Sequence, residues 1–430
     1  MKEKGLGVFT CTAVIVGSMI GSAIFSLSGL TMFKAGPAAS LSWIIAAAIM
    51  FFYGQICSEL AIRYPQSGGI FVFPAKAFNS PLLGWMSNWG SLLANIVAIA
   101  FASIYFGIYL GAGFGIDSAY QVPIALLSIG ICIILNLIDF NRLGKLNTVL
   151  VFALIASMVF YIVTALSSGT YNPENLKPFF TQGVDGKFAF LSCVPTAMLG
   201  YGNIVSMTYL VSQVKNPKRT IPKSVLFALI TVAMLYTLMI AATLGNIRIS
   251  YLIENPSMAY IPMYATCFTT LSGYPVLAKV ITIAAVLALF TTNLILISIT
   301  GASLRAASQS NILPKCFQKN LWSILISSLI AGILSCFPSF VEIIVNYGAL
   351  FAAVTVIINI LSLIRARKND SEQKPSIFKA PGGKFVPVIM IFIIFVCYIP
   401  DILSGWPIWL YTSVSYLIGF LIYRIRKVEL

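Results

Sequence analysis

The chain has 430 residues, of which 59% are hydrophobic and only 9% are charged, and its mean hydropathy is +0.94. Soluble globular domains carry about 25% charged residues. This composition excludes a water-soluble chain of this length and indicates a single integral membrane domain. The formal charge of +15 would suit nucleic acid, but the positions of the basic residues argue for a membrane instead.

Cysteine and histidine usage excludes several kinds of catalytic and metal site. The eight cysteines are scattered, mostly inside apolar runs, and none forms a CxxC pair. This pattern is typical of small packing residues rather than of a disulfide framework or a metal centre. The chain has no histidine, which excludes histidine-based zinc sites, triads and proton relays. We therefore predict no metal and no cofactor.

Long apolar runs fill nearly the whole chain. A transmembrane helix needs about 20 mostly apolar residues. Such runs predict about twelve spans, at 7–29, 38–61, 82–112, 121–138, 146–168, 187–212, 222–246, 276–304, 322–337, 341–364, 385–402 and 406–423. Proline, glycine, asparagine and charged residues lie between them and are typical of loops.

Lysine and arginine predict the orientation of these spans. With the N-terminus in the cytoplasm, 22 of the 27 basic residues fall in cytoplasmic segments. Cytoplasmic loops of membrane proteins carry such an excess. The sequence therefore predicts a multi-pass protein of the cell membrane with both termini cytoplasmic. The basic charge then faces anionic lipid, and no nucleic-acid partner is needed.

Two of the spans contain helix-breaking residues near their middle. Span 1 contains the segment from Gly17 to Phe25, and span 6 contains the segment from Pro195 to Asn203. In lipid, a broken helix is tolerated only where it is buried or lines a cavity. The breaks lie five spans apart, as two inverted five-helix repeats would place them around a binding site at the midplane.

A simpler interpretation exists for the first break. Gly17 and Gly21 form a GxxxG spacing, which often indicates close helix packing. The matching break in span 6 favours a site. Backbone N–H groups freed at a half-helix N-terminus would suit a carboxylate, and freed carbonyl groups would suit an ammonium group or a cation.

Five motifs, spread from span 1 to the start of span 11, resemble those of one transporter family. They are Gly17 to Phe25, Glu59 to Gly69 followed by Ala77 and Phe78, Val214 to Pro222, Asn346 to Leu350, and Phe378 to Gly383 with Pro387. In this order they resemble the motifs of the amino acid–polyamine–organocation (APC) superfamily of permeases. The resemblance extends over nearly the whole chain.

The resemblance implies an all-α integral membrane fold of the LeuT type, a 5+5 inverted repeat with discontinuous helices 1 and 6. It implies a single transporter domain over 1–430, with the repeats at 7–168 and 187–364 and two additional C-terminal helices at 385–423. The substrate-binding residues it implies are Ile20, Gly21, Ser22, Ala23 and Ile24 in span 1, and Leu199, Gly200, Tyr201, Gly202, Asn203 and Ile204 in span 6.

The chain departs from the family pattern at several of these positions. Ala23 and Asn203 stand where the family has glycine, and Ile204 stands at the position of an aromatic gate. The loop glutamate is replaced by Gln213, and the span 5 lysine falls near Leu154. We expect the Asn203 amide to bond a substrate. In the alternative interpretation it only braces the unwound segment.

Coupling to an ion is left open by the sequence. Glu59 and Glu342 lie near span ends, which argues against a proton switch at the midplane. For Glu59 the favoured interpretation is pairing with Arg63 or the loop backbone. For Glu342 it is a hydrated acidic residue at the start of a helix. Two routes remain: exchange without an ion, which is slightly favoured, or a sodium ion between spans 1 and 8. Oxygen ligands for that ion would come from Val16, Met19, Ser298 and Thr300.

Together these features predict a secondary transporter, a permease or exchanger, that moves amino acids or related small solutes by alternating access. An organic-cation or polyamine carrier is the alternative, but such a substrate usually needs an acidic residue near the breaks. A membrane-embedded enzyme lacks candidate catalytic groups, and paired breaks argue against a channel. The expected partners are a small-molecule substrate and membrane lipid, while the oligomeric state is left open.

Overall fold

The computed structural model describes residues 6–425, apart from 66–68, 138–139, 210, 212–213, 370–377 and 404–405. Within this part the chain is helical, and extended backbone pairs only in an isolated bridge between Leu6 and Val214. The α-helices are α1 (Val8–Met19), α2 (Ser22–Ala35), α3 (Ala39–Arg63), α4 (Val72–Ala77), α5 (Pro81–Phe114), α6 (Gln121–Leu137), α7 (Phe140–Ser167), α8 (Ala189–Leu199), α9 (Pro217–Asn246), α10 (Ile249–Glu254), α11 (Pro256–Ala259), α12 (Pro262–Thr269), α13 (Pro275–Gln309), α14 (Asn320–Ser335), α15 (Pro338–Asn369), α16 (Phe385–Leu403) and α17 (Trp406–Ile425).

Eight helical stretches of the described part are long and apolar enough to cross a membrane. They are Ser22–Arg63, Pro81–Phe114, Ser118–Leu137, Val149–Ser167, Ala189–Ser206, Pro217–Asn246, Pro275–Gln309 and Leu350–Lys368. Four shorter apolar helices accompany them, at Val8–Met19, Asn320–Ser335, Phe385–Ile399 and Leu410–Ile425. The predictions of an all-helical chain and of a multi-pass membrane protein are confirmed.

The outer helices turn apolar side chains away from the protein interior. Leu127 on α6, Phe152 on α7 and Phe392 on α16 are each more than half exposed. Contiguous apolar faces of this kind are rare on soluble monomers and mark a membrane or partner surface. Here they fit the hydrocarbon of a bilayer, which also explains why these helices are apolar on more than one face.

Several helix boundaries differ from the predicted spans. Span 1, predicted at 7–29, continues as α2 to Ala35, and span 5, predicted from 146, begins at Phe140. The three short helices α10 to α12 after α9 were not predicted at all. Pro256 and Pro262 lie in the first turns of α11 and α12. Proline is favoured there because its missing N–H needs no partner.

The helices pack in two groups with a cavity between them. In the first group, α1 and α3 pack against α9, while α2 and α3 pack against α8. In the second group, the long helix α5 packs along α13 and α15 and also contacts α6 and α14. Both broken spans belong to the first group, and their breaks line the cavity together with residues of α5, α13 and α15.

Candidate functional site

The first break separates α1 from α2 at Ile20 and Gly21. Ile20 has an extended conformation (φ −73°, ψ 102°), and Gly21 follows at φ −150°, ψ −144°. A Cβ atom on Gly21 would overlap the hydroxyl oxygen of Thr292 on α13. That hydroxyl lies 3.2 Å from the backbone nitrogen of Ser22, which donates to it. Only glycine allows α13 to approach the break this closely.

The second break is a change of helix type rather than an open gap. Helix α8 contains Pro195 and ends at Leu199, and after Gly200 and Tyr201 the chain continues as a 3₁₀ helix, Gly202–Tyr209. The backbone N–H groups of Gly200 and Tyr201 still donate to carbonyl groups of the preceding turn. The tighter 3₁₀ winding turns successive side chains by about 120°, so this segment presents different residues from those an α-helix would present.

A cavity of about 180 Å³ lies between the two breaks and the second helix group. This volume is small beside the roughly 300–1,000 Å³ of drug-sized sites and suits one small solute. Polar side chains from both breaks and α13 line one wall, namely Ser18, Ser22, Asn203, Ser206 and Thr292. Apolar side chains line most of the remainder, among them Leu27, Met50, Val97, Phe101, Met198, Val205, Leu296, Ile299 and Val356. None of the residues lining this cavity in the described part of the chain is charged.

Hydrogen bonds tie the two breaks to each other. The Asn203 amide nitrogen donates to the carbonyl oxygen of Ser18 at 2.8 Å. The Ser18 hydroxyl lies 3.3 Å from the Asn203 carbonyl oxygen and 3.1 Å from the Ser206 hydroxyl. Asn203 therefore braces the broken segments in this conformation, which is the alternative interpretation of its role. It also lines the cavity, where its amide remains within reach of a solute.

A buried tyrosine on α9 contacts both breaks from behind. The Tyr236 hydroxyl donates to the carbonyl oxygen of Met19 at 2.8 Å and lies 3.5 Å from that of Gly200. Its ring packs against the rings of Trp43 and Tyr201, with centroids 5.3 and 5.4 Å apart. Because Tyr236 is fully buried and does not line the cavity, it positions the backbone at the breaks without reaching a solute.

The short helices α10 to α12 pack against α5 beyond one end of the cavity, and none of their residues lines it. Phe101, which lines the cavity, stacks on Tyr105, and Tyr105 meets Tyr260 edge-on with centroids 5.9 Å apart. The Tyr264 hydroxyl donates to the carbonyl oxygen of Ala112 on α5 at 2.6 Å. Aromatic packing and a neutral hydrogen bond therefore join these helices to α5 at this end of the protein.

The structure brings only part of the predicted substrate-binding set to the cavity. Six predicted residues line it, namely Gly21, Ser22, Ala23, Leu199, Gly202 and Asn203. The five that do not are Ile20, Ile24, Gly200, Tyr201 and Ile204. The side chains of Ile20, Ile24, Tyr201 and Ile204 are almost fully buried by neighbouring helices. Ile204, predicted as the gate position, packs instead beside Gly54 of α3.

The residues suggested for a cation site differ in whether they line the cavity. Met19 lines the cavity, whereas Val16, Ser298 and Thr300 do not. Thr292 is the α13 residue that contacts the break. Thr292 was not predicted as a site residue, although a polar side chain inside an apolar run was a signal for it. The same signal applies to Asn95 on α5 and Thr355 on α15, which also line the cavity.

The structure tests the interpretation of Glu59 but not that of Glu342. Glu59 is fully buried and pairs with Arg63 at 2.8 Å, and it also accepts from the backbone nitrogen of Ala380 at 2.6 Å. This agrees with the pairing interpretation. The side chain of Glu342 lies outside the described part of the chain, as does Gln213.

Comparison with known proteins agrees with this architecture. Residues 6–421 match the family model described as amino acid permease. The chain is 25% identical to the branched-chain amino acid permease BcaP of Bacillus subtilis (strain 168), over 98% of the chain and 92% of that protein. It is 24% identical to the methylthioribose transporter of the same organism, over 90% of the chain and 86% of that protein. It is 28% identical to the aspartate-proton symporter of that organism, over 57% of the chain and 48% of that protein.

These matches bear directly on the predictions from the sequence. The family match covers nearly the whole chain, as the motif resemblance did, and its members are named as permeases rather than enzymes. The predictions of an APC-type permease and of a transporter for amino acids are confirmed. The chain belongs to the amino acid permease family.

Proposed function

We propose that this chain carries neutral amino acids with apolar side chains across the cell membrane by alternating access. The observation that carries the proposal is the cavity between the two breaks. Its wall at the breaks offers hydroxyl, amide and backbone groups, its remaining walls are largely apolar, and its lining has no charged side chain. The charged groups of a zwitterionic amino acid would match the polar wall, and an apolar side chain would match the remaining walls.

The proposed binding mode uses the ends of the broken helices. The substrate carboxylate lies at the N-terminus of α2, where the first-turn N–H groups, including that of Ala23, lack acceptors in their own helix. The positive end of the helix dipole also favours an anion there. The ammonium group lies among the carbonyl oxygens that end α1 and α8. The side chain extends toward Val97, Phe101 and Leu296.

Cationic substrates fit this cavity less well. An organic cation or polyamine would be desolvated without an opposite charge, which is costly. Relatives named as branched-chain amino acid permeases from Bacillus subtilis and Lactococcus lactis align over 98% and 96% of the chain. Their substrates have the polarity and size that the cavity favours, and we extend that substrate class to this chain.

The proposed architecture has twelve spans with a LeuT-like inverted repeat. In it α1 and α2 form span 1, α8 and the 3₁₀ helix form span 6, and α14, α16 and α17 are short spans. The repeats cover 7–168 and 187–364, and 385–423 adds two helices to one transporter domain. Both termini are cytoplasmic, because 22 of the 27 basic residues then face that side, where they contact anionic lipid.

The proposed transport cycle needs no sodium ion at the first break. The carbonyl oxygens of Val16, Ser18 and Met19 accept hydrogen bonds from the Ile20 backbone, the Asn203 amide and the Tyr236 hydroxyl. Each of these carbonyl oxygens keeps a second lone pair, which we assign to the substrate ammonium group rather than to a sodium ion; of the suggested ligands, the Thr300 hydroxyl oxygen is buried without a hydrogen-bond partner in the described part of the chain. We favour exchange of one amino acid for another.

Counterflow into proteoliposomes tests this proposal. Vesicles loaded with unlabelled L-leucine should take up labelled L-leucine without an imposed sodium or proton gradient. Excess L-isoleucine, L-valine or L-methionine should compete, because each fits the apolar walls, whereas L-lysine, L-aspartate and spermidine should not. Competition by lysine or spermidine that equals that of isoleucine would refute the substrate class. Uptake that requires sodium would refute ion-independent exchange.

A further inference from the structure

A buried cluster of charges joins the two helix groups at the end of the cavity opposite to α10–α12. Its centre is Glu59, in the last turn of α3, whose side chain has no exposed surface. Arg367, near the end of α15, donates to both carboxylate oxygens, at 3.0 Å through Nε and at 2.5 Å through Nη2. The backbone nitrogen of Ala380, ahead of α16, donates to the same carboxylate at 2.6 Å.

The partners of Arg367 extend this cluster. Its guanidinium group also donates to the carbonyl oxygen of Ala380 at 3.2 Å and to that of Gly383. The Arg367 side chain is only 13% exposed. We call the contacts among Glu59, Arg367 and the 378–383 segment the latch. The pair between Glu59 and Arg63 joins two residues of α3, four positions apart, and is not counted in the latch.

The position of the latch relates it to the cavity. Tyr53 on α3 and Val356 on α15 both line the cavity. Glu59 lies six residues beyond Tyr53, about 9 Å along the helix, and Arg367 lies eleven residues beyond Val356, about 16 Å. The same two helices therefore form cavity walls and are tied together beyond the cavity. In the proposed orientation, this end faces the cytoplasm.

The latch connects two helices whose most extensive packing is in different groups, although α15 also contacts α3 and α8 directly. Helix α3 packs mainly with α8 and α9, which belong to the group with the breaks, whereas α15 packs mainly along α5. A solute that leaves the cavity toward the latch must pass where these groups meet. At the opposite end the groups meet through aromatic packing and neutral hydrogen bonds. Among the described residues, the ion pair between Glu59 and Arg367 thus joins the two groups at this exit.

We propose that the latch is the cytoplasmic gate of the transporter, which holds the cavity closed on that side and must separate each time a solute is released inward. This inference rests on the proposed transport function. Separation of Glu59 from Arg367 inside the protein would leave a buried guanidinium group without its counter-charge, which is costly unless water reaches it. The latch is therefore either closed or fully open and hydrated, as a gate between two conformations requires.

Thiol labelling of the cavity tests the gate without any amino acid present. Ser91 on α5 lines the cavity and is replaced by cysteine (Ser91→Cys) in a chain whose exposed thiols are removed by Cys316→Ser and Cys336→Ser. A membrane-impermeant maleimide is added to inside-out or right-side-out vesicles. Glu59→Gln should raise the labelling rate from the cytoplasmic face about tenfold, the effect of about 1.4 kcal/mol on an equilibrium. Arg367→Gln should act likewise.

Arg63→Gln is the matched control, because it removes a guanidinium partner of the same carboxylate without cutting the tie between α3 and α15. It should leave the labelling rate near that of the parent. Equal effects of all three variants, no effect of Glu59→Gln and Arg367→Gln, or faster labelling from the outer face would each overturn the proposal. Labelling of Cys132, which is fully buried on α6, identifies a misfolded variant. If Glu59→Gln is misfolded, Arg367→Gln decides whether the latch is the gate.

The labelling result is separate from the test of transport function. If the chain exchanges no amino acid, counterflow fails while the latch variants still change the labelling rate. If the latch is only a structural contact, counterflow proceeds and the labelling rate of Glu59→Gln stays at the parent value. The two failures are therefore distinguished in the same vesicles.

Discussion

Replacement of Gly21 by alanine is expected to reduce leucine counterflow at subsaturating concentrations by about tenfold or more. The new methyl group would overlap the hydroxyl oxygen of Thr292. Thr292 cannot rotate away freely, because that hydroxyl also bonds the carbonyl oxygen of Ala288 at 2.8 Å and accepts from the Ser22 nitrogen. Overpacking of this kind costs about 1–3 kcal/mol, and here it displaces the helix end that we expect to bind the carboxylate.

Gly130→Ala on α6 is the matched control. A Cβ atom there has no other atom within 4 Å, and Gly130 does not line the cavity, so counterflow should remain near that of the parent. Thr292→Ala combined with Gly21→Ala should recover part of the lost activity, because it removes the overlapping oxygen. Normal counterflow in the Gly21→Ala variant would show that the close approach of α13 to the break is not needed for transport.

Tyr236→Phe is expected to raise the KM for leucine about tenfold with a smaller change in the maximal rate. The substitution keeps the ring packing and removes only the hydroxyl group that bonds Met19 and approaches Gly200. A buried carbonyl group left without its donor costs about 1–3 kcal/mol. The backbone at both breaks would then lose the hydrogen bonds that Tyr236 provides. We expect this loss to weaken substrate binding more than it slows the later steps of transport.

Tyr161→Phe controls for loss of stability alone. Tyr161 is as buried as Tyr236, and its hydroxyl forms a 2.8 Å hydrogen bond with that of Thr243, away from both breaks. Both variants should lower the melting temperature of the purified protein, but only Tyr236→Phe should raise the KM. An equal rise in KM for the two variants would mean that the effect reflects general destabilisation.

The helices and the first break could be predicted from local sequence because their causes are local. Apolar runs of sufficient length require membrane spans, and Ile20 with Gly21 interrupts such a run. The short helices α10 to α12 lack long apolar runs. Proline residues in the first turns of α11 and α12 were the available signal for those two helices, but proline is equally common in loops.

The composition of the cavity wall could be predicted only in part, for two physical reasons. The chain after Gly200 is a 3₁₀ helix, so residues such as Ile204 face α3 instead of the cavity. Contacts such as that between Ser22 and Thr292 join residues 270 positions apart, and one sequence carries no local trace of them. For the same reason, Glu59 could be paired from the sequence with its neighbour Arg63 but not with Arg367.

Substrate protection of a thiol at the first break tests most directly whether the solute binds between the two broken helices. Ser22 lines the cavity and is replaced by cysteine (Ser22→Cys), while the exposed Cys316 is kept in the same molecule as an internal reference. We predict that L-leucine slows modification of the Ser22→Cys thiol, with half-protection near the KM for counterflow, and leaves that of Cys316 unchanged. Unchanged modification at the break, in a preparation that performs leucine counterflow, would contradict the account.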